Sequence, residues 1–175
     1  MEIWDIYNND RLQTGKTHVR GEKIADGDNI LIVMVLIFDS KGRMLLQQRP
    51  SNMTWGPDKW TMTAGGAVKA GEASSQAASR ELYEEMGIKI DFTGVRPNFS
   101  MTNAMAFIDY FVVRKDVDIA TLVIPNEEVA AAKWVAKGEM LEMIERGECM
   151  PYRKAFVEYV FDVALNPMLD STLSK

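Results

Sequence analysis

The longest apolar run in the chain is Ile30–Phe38, nine residues rich in valine and isoleucine with no polar position among them. A half-exposed strand would alternate apolar and polar residues, so a run without alternation predicts a strand buried on both faces, at the centre of a sheet. It closes on Asp39-Ser40-Lys41-Gly42, a turn sequence, and residues 44–49 are expected to return beside it as an antiparallel hairpin partner. After a polar loop over 50–59, residues 60–63 read as another short strand. The period changes at Ser74: Ala78, Leu82 and Met86 recur every four residues, which places them on one face of a helix over Ser74–Met86 that stops at Gly87. Residues 88–99, 104–113 and 131–135 then read as strands, and 137–146 and 152–165 as helices. Ahead of the apolar run, residues 2–7 alternate weakly and meet Asn8-Asn9-Asp10, a turn cluster that predicts a hairpin with residues 14–19. The order is that of a mixed α/β fold.

With 175 residues, 47% of them hydrophobic, the chain has the size and apolar content of one domain with a single packed core. The pattern divides into an amino-terminal hairpin extension over 1–28, a main domain over 29–165 and a tail over 166–175 that is expected to fray. Ile3, Trp4, Ile6 and Tyr7 need cover, which predicts that the extension packs on the main domain and joins two copies in a homodimer.

The formal charge of -5 opposes sequence-independent binding to a polyanion, so nucleic acid is not an expected partner. Residues 1–10 lack the basic and apolar segments of a signal peptide, and no stretch approaches the roughly 18 apolar residues of a membrane span. A cytoplasmic protein with no membrane partner is expected. Cys149 and His18 are the only residues of their kinds, which excludes an intramolecular disulfide and any cysteine- or histidine-rich metal cluster. A metal would be held by oxygen, favouring Mg2+ or Mn2+ over zinc.

Candidate chemistry is concentrated in residues 66–88, where a glycine-rich loop leads into a helix bearing Arg80, Glu81, Glu84 and Glu85, with Glu72 ahead of it. At about 100° per residue the three helical glutamates occupy an arc about 100° wide beside the apolar stripe, so they are expected to converge at the edge of the core. Glu81 and Glu85 stand four apart, a like-charge pairing that costs an exposed helix about 0.2–0.5 kcal/mol and that a multivalent cation would turn favourable. Magnesium shares its coordination between carboxylates, water and substrate phosphates, which makes the cluster a candidate phosphate-handling site.

The spacing of Gly66, five residues, Glu72, seven residues, and then Arg80-Glu81-Leu82-Tyr83-Glu84-Glu85-Met86-Gly87-Ile88 resembles the Nudix box at each of its defining positions. Gln48-Arg49, Trp60, Ala64-Gly65-Gly66 and Lys133-Trp134-Val135 resemble the wider Nudix domain over 29–144, with Ala64 where the family usually has proline. The resemblance implies an α/β/α sandwich on a mixed β-sheet with a loop-helix-loop catalytic box. It implies divalent-metal-dependent hydrolysis of the diphosphate linkage in a nucleoside diphosphate joined to another moiety. Glu81, Glu84 and Glu85 are the implied metal ligands, with the Gly66 carbonyl as a further oxygen. Arg80 is expected to lie turned away from the carboxylate arc and to orient a box glutamate through a two-pronged ion pair. Activation of water falls either to a box glutamate or to Glu128, in the loop Pro125-Asn126-Glu127-Glu128-Val129.

Two other readings share this fold. An isopentenyl-diphosphate isomerase is suggested by Trp4-Asp5 and Thr14-Gly15, but Thr61, Met62 and Thr63 stand on the strand where its cysteine belongs. A noncatalytic sensor of a nucleotide-like ligand would not need the glutamates intact. Substrate markers of Nudix subfamilies are absent at Asn103 and over 104–106, and Trp55, Phe99, Phe107 and Trp134 are the aromatic side chains available to stack on a base.

Overall fold

In the computed structural model of the chain, residues 2–124 and 126–166 are described. The expected fraying beyond Asn166, the first residue of the extension and Pro125 of the Glu128 loop lie outside them. The elements run β1 (Ile3–Tyr7), β2 (Gln13–Val19), β3 (Ile30–Phe38), β4 (Met44–Gln48), β5 (Trp60–Met62), β6 (Ala64–Ala67), α1 (Ser74–Met86), β7 (Phe99–Thr102), β8 (Ala106–Arg114), β9 (Ala131–Val135), α2 (Lys137–Glu145) and α3 (Lys154–Leu165).

β3 is the axis. It pairs in parallel with β8 along its whole length, from Ile30 opposite Ala106 to Phe38 opposite Arg114. Its side chains alternate between two cores, as a run buried on both faces requires. Leu31, Val33, Val35 and Ile37 pack with Ala77, Ala78, Leu82 and Met86 of α1. Leu36 and Phe38 pack with Val157, Val160 and Phe161 of α3 and Met140 of α2. Each fully buried aliphatic or aromatic side chain contributes about 1.5–3 kcal/mol, so both faces of β3 are heavily stabilised. The result is the expected α/β/α sandwich on a mixed sheet, ordered β5-β4-β3-β8-β7, with β6 also paired to β3 and β9 to β4.

Three local readings are corrected. The expected β3–β4 hairpin has one paired rung, Phe38 opposite Met44. Beyond it β3 takes β6 as its partner, with Ile32 opposite Ala67 and Val35 opposite Ala64, so Ala64-Gly65-Gly66 is strand rather than loop. Thr63 holds the fork open: its hydroxyl donates to the Leu45 carbonyl at 2.6 Å and accepts from Ile37 N–H at 3.0 Å. Residues 88–98 contain no strand, although Ile88, Ile90 and Phe92 alternate with polar residues. That alternation is satisfied by packing against α1, with Ile88 and Phe92 buried and the Phe92 N–H donated to Ser79 Oγ at 3.0 Å, before Gly94 turns the chain at φ 74.

The amino-terminal hairpin forms and docks. Tyr7 and Asn29 exchange both backbone hydrogen bonds, at 2.7 and 2.9 Å, and Ala70 N–H reaches the Ile3 carbonyl at 2.8 Å. Ile6 and Tyr7 are buried, while Ile3 is exposed. Its turn is fixed by Arg11, whose positive φ of 60 is a conformation that costs a non-glycine residue on the order of 1–3 kcal/mol. The compensation is a buried carboxylate: Arg11 Nη2 lies 2.5 Å from Asp109 on β8, which also accepts hydroxyl hydrogen bonds from Ser74 at 2.6 Å and Ser100 at 2.5 Å. Asp109 is fully buried, so removing Arg11 leaves its charge, among the described residues, with the two hydroxyls. Arg11→Ala is expected to cost about 2 kcal/mol, the scale of a hydrogen bond to a charged group. At about 2–4 °C per kcal/mol for a chain of this size, Tm should fall by about 4–8 °C. An unchanged melting curve would show that the turn contributes no stability.

Candidate active site

The loop and helix over 66–88 are set by backbone before any carboxylate is placed. Gln76 Oε1 caps the Ala73 N–H at 2.8 Å at the start of α1, and Gly87 ends it in the left-handed conformation, φ 70, with its N–H on the Tyr83 carbonyl. Glu81 and Glu85 share the inward face of α1 with Ala77, Ala78, Leu82 and Met86 and are buried; Glu84 is exposed. The expected convergence of all three is therefore corrected. Among the described residues no three acidic, histidine or cysteine side chains meet in a ready-made metal cage.

Arg80 organises what does meet. Its Nε and Nη2 make a bidentate pair with Glu72, each at 2.9 Å, and Nη2 also donates to the Ala67 carbonyl at 3.2 Å. Nη1 donates to Glu81 at 2.6 Å and Glu84 at 2.9 Å. The two-pronged pair is present, but Arg80 is not turned away from the arc: it bridges two members of it and the loop carboxylate. Burial works against its charge, but the hydrogen bonds and charges of Glu72, Glu81 and Glu84 more than offset this and hold the guanidinium protonated more firmly than usual. Burial also pushes Glu72 upward, but the Arg80 hydrogen bonds and the Lys69 backbone N–H leave it below the ordinary carboxylate range.

Glu85 stands in the fork between β6 and β4. One of its oxygens, Oε2, receives the Gly65 N–H at 3.2 Å from β6 and the Gln47 amide at 2.5 Å from β4. Burial, with the charges of Glu81 and Glu128, raises its proton affinity well above that of an ordinary carboxylate. Glu81 is also raised, by burial first, with Glu84 and Glu128 adding to it and Arg80 opposing. The two glycines follow from this crowding. A Cβ at Gly66 would overlap the Glu81 carboxylate, and one at Gly65 would fall 2.6 Å from the Val33 carbonyl. The Glu128 loop is tied to the same helix end by Asn126, whose amide donates to the Glu85 backbone carbonyl at 3.0 Å. Asn126 Oδ1 accepts the Glu128 and Val129 N–H groups at 2.9 and 2.8 Å, so the exposed Glu128 side chain starts from a fixed backbone. Residue pattern alone did not reveal Gln47 or Asn126 as members of the site.

Of the aromatic candidates, Phe107 is core, and Trp134 packs against the core with its indole N–H on the Val117 carbonyl at 3.2 Å. Phe99 stacks on Tyr110 at 4.6 Å. Trp55 is 66% exposed, with the Arg49 guanidinium over its ring, and remains open to a ligand.

Buried carboxylates with raised proton affinity, Glu81 beside the Arg80 guanidinium and Glu85 held by neutral donors, form an oxygen donor set that a hard divalent cation would satisfy. Two or three such ligands suit magnesium, which keeps much of its water. The residues present fit the metal.

The model of the NUDIX domain matches residues 28–154. A Listeria monocytogenes protein described as an uncharacterized Nudix hydrolase is 44% identical over 152 residues, covering 87% of this chain and 90% of its own length. A shorter match, 34% identical over 91 residues, covers 52% of this chain and 46% of an isopentenyl-diphosphate Delta-isomerase from Pectobacterium atrosepticum. The crystal structure of a Deinococcus radiodurans protein superposes with a TM-score of 0.74 at 23% identity, covering 91% of this chain and 97% of that one, which shows a common fold.

Proposed function

The chain belongs to the Nudix hydrolase family, whose members cleave diphosphate bonds and generally use divalent metal ions, and we propose that its substrate is a nucleoside diphosphate linked to another moiety. The observation that carries this reading is the pair of buried glutamates, Glu81 and Glu85, fixed beside Gly65 and Gly66 with Glu84 at the rim. Mg2+ or Mn2+ would be held by Glu81, Glu84 and Glu85, with the Gly66 carbonyl, and would supply charge neutralisation at the diphosphate oxygens. Arg80 keeps Glu81 and Glu84 oriented and stops their repulsion from spreading the helix end. Gln47 and the Gly65 N–H hold Glu85 in one position. As water attacks one phosphorus and the bridging P–O bond breaks, a carboxylate accepts the water proton, and that task is assigned to Glu128.

The isomerase chemistry has no support at Cys149, the sole thiol, which is 5% exposed and pushed by burial up to about 11. The deciding experiment is incubation with Mg2+ and a panel of nucleoside diphosphate sugars, dinucleotides, nucleoside triphosphates and isopentenyl diphosphate, with product identification. Hydrolysis within the first two groups supports the reading. Isomerised isopentenyl diphosphate, or no turnover of any compound, overturns it.

The raised carboxylates also predict how stability responds to pH. Glu81 and Glu85 bind protons more tightly in the folded chain than at the ordinary value of 4.5, so their charged forms destabilise the fold. Without metal, stability should rise as pH falls through their folded values, and the gain is complete below 4.5. Glu72 and Asp39 are lowered, so the stability they contribute is lost only below the ordinary carboxylate values, as pH falls through their depressed ones. Since Mg2+ needs the ionised carboxylates, it should raise Tm more at about pH 8 than at about pH 5. Equal shifts at both pH values would place Mg2+ binding elsewhere.

A further inference from the structure

Gln47 is the penultimate residue of β4, 4% exposed, with its carboxamide against Glu85. Its Nε2 donates to Glu85 Oε2 at 2.5 Å. The other half of the same amide, Oε1, is the buried side-chain atom that has no hydrogen-bond partner among the described residues. An amide oxygen in that state costs on the order of 1–3 kcal/mol, and a buried unsatisfied group in a well-packed site calls for an absent water or ion. Packing alone would be better served here by an aliphatic side chain, since Leu45 on the same face of β4 is fully buried in the apolar core. A carboxamide has two useful ends in this position: a donor that holds an ionised carboxylate, and a hard oxygen that suits a divalent cation.

We propose that Gln47 belongs to the cation site, its Oε1 serving the divalent ion held at Glu85, directly or through one bound water, while Nε2 fixes the Glu85 carboxylate. The inference rests on the cation-dependent reading above and deepens it by adding a neutral ligand from β4 to the charged ones of α1. The fork between β4 and β6 is what admits it. If β4 had stayed paired with β3 beyond Met44, β6 would not lie between them to bring Gly65 to the same carboxylate.

The test uses the full chain, with Mn2+ as the probe and its free concentration read by electron paramagnetic resonance. Gln47→Met keeps length and removes both ends of the amide; Gln47→Glu removes the donor but keeps oxygen. Gln47→Met is expected to weaken Mn2+ binding about ten- to hundredfold, the range for groups supporting a metal site. Gln47→Glu should restore wild-type affinity or better while lowering the metal-free Tm, because it adds a carboxylate beside Glu85. A purely structural role as donor to Glu85 predicts the reverse order, with the glutamate variant the weaker binder. Wild-type affinity in Gln47→Met, or weaker binding in Gln47→Glu than in Gln47→Met, overturns the proposal. Glu85→Gln is measured alongside: if it loses Mn2+ while Gln47→Met keeps it, the metal reading stands and the role of Gln47 falls. A wild-type protein that binds no Mn2+ overturns both.

Discussion

Glu85→Gln is expected to lower kcat at least about a hundredfold without unfolding the chain, and Glu84→Gln to do the same from the rim of the site. At about 1.4 kcal/mol per tenfold, the loss is a few kcal/mol of transition-state stabilisation, the scale of a forfeited metal contribution. The glutamine variants keep side-chain volume, so the packing of Glu85 between Gly65 and Gln47 survives. Removing a buried charge whose protonation is favoured by its surroundings should leave the metal-free Tm of Glu85→Gln unchanged or higher. That separates lost chemistry from lost fold: a variant that is both inactive and strongly destabilised would point to a structural carboxylate. Full activity of both variants, or of the wild type in chelator, would remove metal from the proposed mechanism.

The elements that define the site were legible wherever one local period decided them. Ile30–Phe38 had no polar position to expose, and it became the strand that separates the two cores. The box residues were legible because their spacing is local to one loop and one helix. What pattern could not show were contacts made across the fork. Gln47 sits 38 residues from Glu85, in a strand whose sequence reads as ordinary sheet, and only the divergence of β4 from β3 brings them together. β6 was hidden for a related reason. Two of its four residues are glycine, so it has few side chains in which alternation could be seen, and a side chain there would meet the Val33 carbonyl at Gly65 and the Glu81 carboxylate at Gly66. A helical wheel faces Arg80 away from the arc, but a side chain that long wraps over the turn to Glu72 and Glu81. Residues 88–98 misled in the opposite direction, since an extended segment packed on a helix alternates as a strand does without pairing.

The remaining large effect concerns the proton acceptor. Glu81 and Glu85 are buried and Glu84 is bonded to Arg80, so each is committed to neighbours before water arrives. Glu128 is exposed, its backbone fixed by Asn126, and, after burial, its charge is among the smaller causes that raise Glu81 and Glu85. An acceptor needs oxygens that are free to take the proton. Glu128→Gln should lower kcat by about a hundred to ten thousandfold with little change in KM or Mg2+ affinity, the contribution expected of general-base catalysis. Glu127→Gln is the control, an exposed neighbour with no hydrogen bond to the helix among the described residues, and should retain wild-type turnover. If Glu128→Gln keeps wild-type turnover across the pH range, the proton goes to one of the box glutamates and the loop is left to bind substrate. If Asn126→Ala, which frees the loop without touching the carboxylate, lowers kcat about as far as Glu128→Gln does, the fixed backbone is itself part of how the base is aimed.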